Sequence, residues 1–146
     1  MMGGKIMNKR GAYAAELIKD ISRLYTLKVR IEAENLGIKN AYKSLLSQLY
    51  IKDGGTQLSL ADKTGMKAPT ISITLRKMEK EGLVDRIVDE SDLRKTHVYL
   101  TEKGRKTTEA LNEQVDAVNE GFVKGLDEDE TEKFIARLEE IKMFLR

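Results

Sequence analysis

Apolar residues at Leu17, Ile21, Leu24 and Ile31, with Ile18 and Tyr25 beside them, recur at helical spacing and predict a long amphipathic helix from Ala12 to about Ala33. Leu36-Gly37-Ile38 interrupts that pattern. Asn40 is placed to cap a second helix carrying Tyr42, Leu45, Leu46 and Leu49, which Asp53-Gly54-Gly55 closes. A short helix follows from about Leu58 to Thr64, with Gly65 as a turn, and then a helix opening at Pro69 and closing at Gly82. Pro69 suits a first helical turn, where a missing N–H breaks no bond. From Leu83 to Leu100 the period changes. Leu-Val-Asp-Arg-Ile-Val and Thr-His-Val-Tyr-Leu flank the polar stretch Asp89 to Lys95, which reads as two strands joined by a loop. Thr101 then caps a helix with Leu111, Val115, Val118 and Phe122 on one side. Asp127 and Glu130 open a last helix bearing Phe134, Leu138, Ile141 and Leu145 with a capping-box pattern.

This order predicts a mainly α protein with a small β-hairpin wing. Residues 44 to 104 fit a winged helix-turn-helix, and the helices on either side are surplus to a DNA-binding module of that size, so they want a partner. A chain of 146 residues is one domain's worth, and the whole of 1–146 is read as a single unit: 1–35 and 105–146 as dimerisation helices, 36–104 as the winged module. The sequence has no Cys, which excludes a disulfide framework, a thiolate nucleophile and the usual structural zinc site. No apolar run reaches the length of a membrane span or a secretory leader, so a cytoplasmic location and no membrane partner are expected. The net charge of +2 hides an asymmetry. Residues 1–57 hold 10 basic and 5 acidic side chains, 58–106 hold 11 and 8, and 107–146 hold 5 and 11. Positive charge in the first two thirds suits a face turned to a polyanion.

On the helix from Pro69 to Glu81, Ile71, Leu75 and Met78 share one face and are expected to pack inward. The other face presents Pro69, Ile73, Arg76, Lys77 and Lys80, with Thr70 and Ser72 at its shoulders and Lys67 and Ala68 just ahead. Short hydrogen-bonding groups near a helix N-terminus with cations further along are what major-groove reading needs, and an exposed Ile can touch a thymine methyl. Taken alone, such a helix reads more simply as a solvated surface helix. Its place between a preceding helix-turn and a following hairpin makes the DNA reading the more specific one. A nucleophile elbow, paired histidines and a glycine-rich phosphate loop after a strand are all missing, which leaves an enzyme reading almost without support, and no cofactor is expected.

The stretch Leu58 to Gly104 resembles the MarR (multiple antibiotic resistance regulator) family of transcription factors. The marks are Leu60-Ala61-Asp62-Lys63-Thr64-Gly65, the exit Lys77-Met78-Glu79-Lys80-Glu81-Gly82-Leu83-Val84, and Asp92-x-Arg94 followed by Val98-x-Leu100-Thr101-x-x-Gly104. The resemblance implies a two-fold homodimer whose first and last two helices interlock, holding two winged modules over successive major grooves of a pseudo-palindromic operator. The leading reading is a repressor, with activation the alternative that the sequence leaves open. Arg94 matches the family's wing-tip arginine, which enters the minor groove, and Asp92 the acid that orients it. A guanidinium on a hairpin tip independently suits a narrow A·T-rich minor groove, although an exposed Asp-Arg pair can also be a surface ion pair worth about 0 to 1 kcal/mol. Ile73 and Leu93 depart from basic residues common at those positions, which points to altered base reading.

Phosphate contacts are expected from Lys67, Lys77 and Lys103, and sequence preference from Thr70, Ser72, Ile73 and Arg94. The family resemblance further implies a small aromatic or phenolic effector in a cleft between the dimerisation helices and the winged module. Tyr13, Arg23, Arg30 and Tyr42 are the candidates to line it, the plainer reading being solvated arginines and packed tyrosines. His97, the one histidine, reads as a wing-strand side chain without the carboxylate or thiolate neighbours a metal site needs. The second functional reading is a winged helix that binds protein and leaves DNA alone.

Overall fold

The computed structural model describes the backbone of residues 2–146 and the side chains from residue 9 onward. Along the chain run α1 (Met2–Asn35), α2 (Asn40–Ile51), α3 (Gln57–Thr64), α4 (Ala68–Lys80), β1 (Val84–Val88), β2 (Thr96–Leu100), α5 (Glu102–Glu120) and α6 (Glu128–Phe144). The mainly helical class with a two-stranded hairpin is as predicted. Met1 of the predicted N-terminal element lies outside the described residues.

Local chemistry sets most of the boundaries. After α1 the Ile38 N–H donates to the Ala33 carbonyl at 2.8 Å and the Gly37 N–H to Glu34 at 2.9 Å. Gly37 holds a φ of 74°, a left-handed exit that glycine adopts without strain. The same pair of bonds recurs after α4, where Leu83 donates to Met78 and Gly82 to Glu79. This second exit aims the chain straight into β1. Thr101 caps α5 by accepting from the Gly104 N–H, and Asp127 with Glu130 completes the capping box of α6. Four boundaries differ from expectation. The first helix does not begin at Ala12, since the pattern of apolar residues fades there while helical backbone continues back to Met2. Lys39 occupies the cap position before α2, and Asn40 is already helical, with no side-chain cap bond. Lys67 is the cap residue of α4, so Pro69 falls within the first turn rather than at its start. Phe122 lies in the turn beyond the end of α5, where its N–H bonds to the Asn119 carbonyl at 3.0 Å.

One core gathers Tyr42, Leu45, Leu46 and Leu49 of α2, Leu60 of α3, Ile71, Leu75 and Met78 of α4, and Val84, Val98 and Leu100 of the hairpin. Ala33 of α1 and Leu111 of α5 close it from the far side. The strands pair antiparallel with Val84 opposite Leu100 and Val88 opposite Thr96, so Asp89 to Lys95 form the hairpin's tip. A short bridge between Thr56 and His97 ties the segment before α3 to β2. By contrast α6 has no buried residue, and α1 packs chiefly against α5 and α2.

Candidate nucleic-acid interface

The helix-turn-helix is built from α3 and α4. Gly65, at φ 70°, makes the turn between them and donates its N–H to the Ala61 carbonyl at 2.9 Å. Ile71, Thr74, Leu75 and Met78 of α4 are buried. Thr74 was not expected inward; it belongs to the same stripe one turn after Ile71. Turned outward are Lys67, Ala68, Pro69 and Thr70 ahead of and in the first turn, then Ile73, Arg76, Lys77 and Lys80, with Ser72 half-buried at the edge. Ile73 is 53% exposed, an apolar side chain standing among cations. Among the described residues no carboxylate pairs with Lys67, Arg76, Lys77 or Lys80, whereas Glu79 faces the hairpin and pairs with Arg86 at 3.0 Å. The outward face of α4 is therefore positive, and its first-turn N–H groups open onto it.

The hairpin tip is held by carboxylates. Asp92 accepts from Arg94 at three points: the backbone N–H at 3.1 Å, Nε at 3.0 Å and Nη2 at 3.3 Å. This fork fixes the direction of a guanidinium whose side chain is 90% exposed, and the Arg94 contact holds the Asp92 carboxyl below the usual range. Leu93 beside it is 80% exposed. Of the predicted phosphate contacts, Lys67 and Lys77 are exposed, while Lys103 donates to the Glu81 carbonyl at 2.8 Å and closes the C-terminal end of α4.

A second polar cluster braces α4 from behind. Glu81 accepts from Lys39 Nζ at 2.7 Å and from the Tyr42 hydroxyl at 2.9 Å. The Lys39 bond holds the Glu81 carboxyl below its usual range, and burial, with the bond to Glu81, raises the Tyr42 phenol. Tyr42 is only 1% exposed, so it is a strut of the core and not a wall of an effector cleft. Arg23 and Arg30 do share a groove of about 340 Å³ with Thr26, Leu27 and Asn40. Tyr13 is exposed on α1 ten residues before Arg23, about 15 Å away along a helix, and does not reach that groove. His97 departs from the sequence reading as well: its ring lies 2.7 Å from Asp89 Oδ2 and 2.9 Å from the Gly54 carbonyl, so it does have a carboxylate neighbour. No single-sequence signal pairs residues this way, because the loop that carries Asp89 returns only through the hairpin's turn.

A third feature is apolar. Leu17, Ile18 and Ile21 of α1 face Phe134, Leu138 and Ile141 of α6 across a groove of about 530 Å³, with the rings of Tyr25 and Phe122 in tilted contact at its end.

Comparison with known proteins agrees with this geometry. A profile of the MarR family matches residues 43–96, from α2 to the start of β2. The transcriptional regulator HosA of Escherichia coli O157:H7 is 34% identical over 84 residues, 58% of this chain and 62% of its own length, so the aligned stretch spans less than two thirds of that relative. MepR, a transcription regulator of the Staphylococcus aureus multidrug efflux pump MepA, is 30% identical with a TM-score of 0.81, over 90% of this chain and 98% of that one. The S. aureus MepR–DNA complex is also similar, at 31% identity and a TM-score of 0.74, over 90% of this chain and 99% of that one. The chain belongs to the MarR family of winged helix-turn-helix proteins.

Proposed function

We propose that the chain is a dimeric DNA-binding transcriptional regulator that represses from a pseudo-palindromic site. The observation that carries this reading is the division of α4: Ile71, Thr74, Leu75 and Met78 are committed to the core, and Thr70, Ile73, Arg76 and Lys77 stand outward beside a hairpin that projects Arg94. Helix and hairpin then meet adjacent grooves of one duplex, Lys67 and Lys77 on phosphates, Thr70, Ser72 and Ile73 at base edges, and Arg94, oriented by Asp92, in the minor groove. Ala68 and Pro69 bring the first turn close to the backbone. The likeness to a relative crystallised on DNA supports the same reading.

Effector release is part of the proposal. The groove holding Arg23, Arg30 and Asn40 sits where α1 meets the start of α2, and a small aromatic anion seated there would shift the spacing of the two modules. Saturating phenolic acids are expected to weaken operator binding and raise the melting temperature of the free protein; no change in either removes that effector class.

The interface is tested by selecting duplexes from a random pool and measuring affinity against salt. Lys77→Ala is expected to weaken all duplexes alike and to lower the slope of log K against log salt by about one. Weak binding with no salt dependence would favour a protein-binding winged helix instead.

A further inference from the structure

His97 stands where the hairpin meets the helical body, and both of its ring nitrogens are engaged. Nδ1 lies 2.9 Å from the carbonyl oxygen of Gly54 in the α2–α3 connection, and Nε2 lies 2.7 Å from Asp89 Oδ2 at the base of the hairpin's turn. Both partners are acceptors. Neutral imidazole carries one N–H and can satisfy only one of them; the imidazolium satisfies both. The chain of bonds continues outward from Asp89. Its other oxygen accepts from the Ser91 N–H at 2.8 Å, the Ser91 hydroxyl at 2.6 Å and the Asp92 N–H at 3.1 Å. Asp92 in turn forks the Arg94 guanidinium. A continuous run of hydrogen bonds thus links the body of the module to the tip of the wing.

Resting on the DNA-binding reading above, we propose that protonated His97 is a positioning residue for Arg94, so that the minor-groove contact of the wing depends on the charge state of this one imidazole. When the ring loses its proton, a nitrogen lone pair faces either the Gly54 carbonyl or the Asp89 carboxylate. The bond lost is then the one between wing and body, or the one that fixes Asp89 under the turn. In either case Asp92 and Arg94 lose part of the support that holds the guanidinium on its line. The charged groups acting on the ring are Asp89, which favours its charge, and Lys95, which opposes it; from the helical side the ring meets the Gly54 carbonyl, while the neighbouring Asp53 carboxylate is taken by the Leu100 N–H and Arg105. The balance raises the imidazole above its ordinary range, with the Gly54 bond the largest cause and the Asp89 bond next.

The chain has one His and no Cys, so a titration of DNA affinity near neutrality has few sources. A duplex selected from a random pool by the wild-type protein is titrated by fluorescence anisotropy at constant ionic strength from about pH 6 to about pH 8.5. Wild-type affinity is expected to fall by about three- to tenfold as pH rises, up to the tenfold that one pKa unit of coupling represents. His97→Gln should bind at the weaker level with a flat profile, and Arg94→Ala should be flat too, with His97→Gln adding nothing to it. A wild-type affinity independent of pH overturns the proposal, and so does a pH dependence that survives in Arg94→Ala, which would make the effect one of net charge alone. The ring and amide resonances of the free wild-type protein supply a second readout that needs no variant. The Ser91, Asp92 and Arg94 amides should titrate together with the His97 ring, and amides that ignore the ring sink the relay. Should no duplex be recovered at any pH, the DNA reading fails, and these resonances still decide whether the relay exists.

Discussion

A Cβ added at Gly104 would lie 2.0 Å from the carbonyl oxygen of Leu83, where the first turn of α5 crosses the entrance to β1. Two backbones meet there and neither has a flexible end to move aside. Gly104→Ala is therefore expected to destabilise the module by about 1–3 kcal/mol, the usual cost of overpacking, seen as a lower urea midpoint with an unchanged m-value. Arg94→Ala makes the opposite kind of change. Its side chain is 90% exposed, so stability should hold within about 0.5 kcal/mol while affinity for A·T-flanked duplexes drops more than affinity for G·C-flanked ones. Equal losses on both would place Arg94 on phosphate and not in the groove. Residues of this second kind were legible in the sequence, because a helical period separates Ile73 and Arg76 from Ile71 and Leu75 without any knowledge of the rest of the chain. His97 was not, since its partners Gly54 and Asp89 meet it only in the folded hairpin. Tyr42 was legible in part: its place on the apolar stripe of α2 favoured packing over a cleft lining, and its burial bears that out, while its partner Glu81, 39 residues away, left no trace in the sequence.

The link between α4 and the hairpin is electrostatic as well as apolar. Glu79 accepts from the Arg86 N–H at 3.1 Å and from its guanidinium at 3.0 Å, and Glu81 takes Lys39 and Tyr42 on the other side of the helix end. The hydrogen bonds from Arg86 and from Lys39 hold these two carboxyls below their ordinary value of 4.5, and the bonds from Ser91 and His97 do the same for Asp89. Groups whose folded pKa is lowered bind fewer protons folded than unfolded. Their contribution is complete above the ordinary carboxylate range and is lost as pH falls through the lowered folded values. His97 runs the other way: its contribution is complete below its ordinary value of 6.5 and fades as pH rises through the raised folded one. Stability should accordingly peak on the acid side of neutrality. Urea midpoints are expected to fall from about pH 6 toward about pH 3.5, less steeply in Glu79→Gln, and to fall again as pH rises above the ordinary imidazole value of 6.5 in wild type but not in His97→Gln. A midpoint that rises steadily to pH 9 would contradict the cationic histidine. At this scale the sequence was most informative where a cap or a glycine set the boundary, as at Thr101, Asp127, Gly65 and Gly82. It was least so at the start of α1, where no cap marks an end and the fading apolar pattern says only that the helix no longer packs.

At the scale of the molecule the chain is two structures of unequal completeness. The winged module closes its core with help from Ala33 of α1 and Leu111 of α5, but the rest of α1 and all of α6 leave their apolar faces open: Leu17, Ile21, Leu24, Phe134, Ile135 and Leu138 are all exposed, and Phe144 is 88% so. An amphipathic helix gains most of its stability from burying its apolar face, and α6 buries none of its residues in a single copy. The sequence showed these periodic faces and showed that they were surplus to the module; it held nothing about what covers them, since that depends on a second surface. In the dimer proposed above, a second copy of the same helices would cover these faces, and its two α4 helices would need to sit on one side to read successive major grooves about 34 Å apart. Leu138 lies in the groove between α1 and α6, away from the winged core. Leu138→Glu is therefore expected to shift the sedimentation equilibrium from dimer toward monomer and to make the melting temperature of the remaining dimer depend more steeply on protein concentration. Affinity for a two-half-site duplex should fall by at least tenfold, while affinity for a single half-site should change little, because the mutation leaves every residue of α4 and the wing untouched. A variant that stays dimeric would put the interface elsewhere. One that becomes monomeric yet keeps full affinity for the paired site would mean that a single module, without its twin, is what grips the DNA.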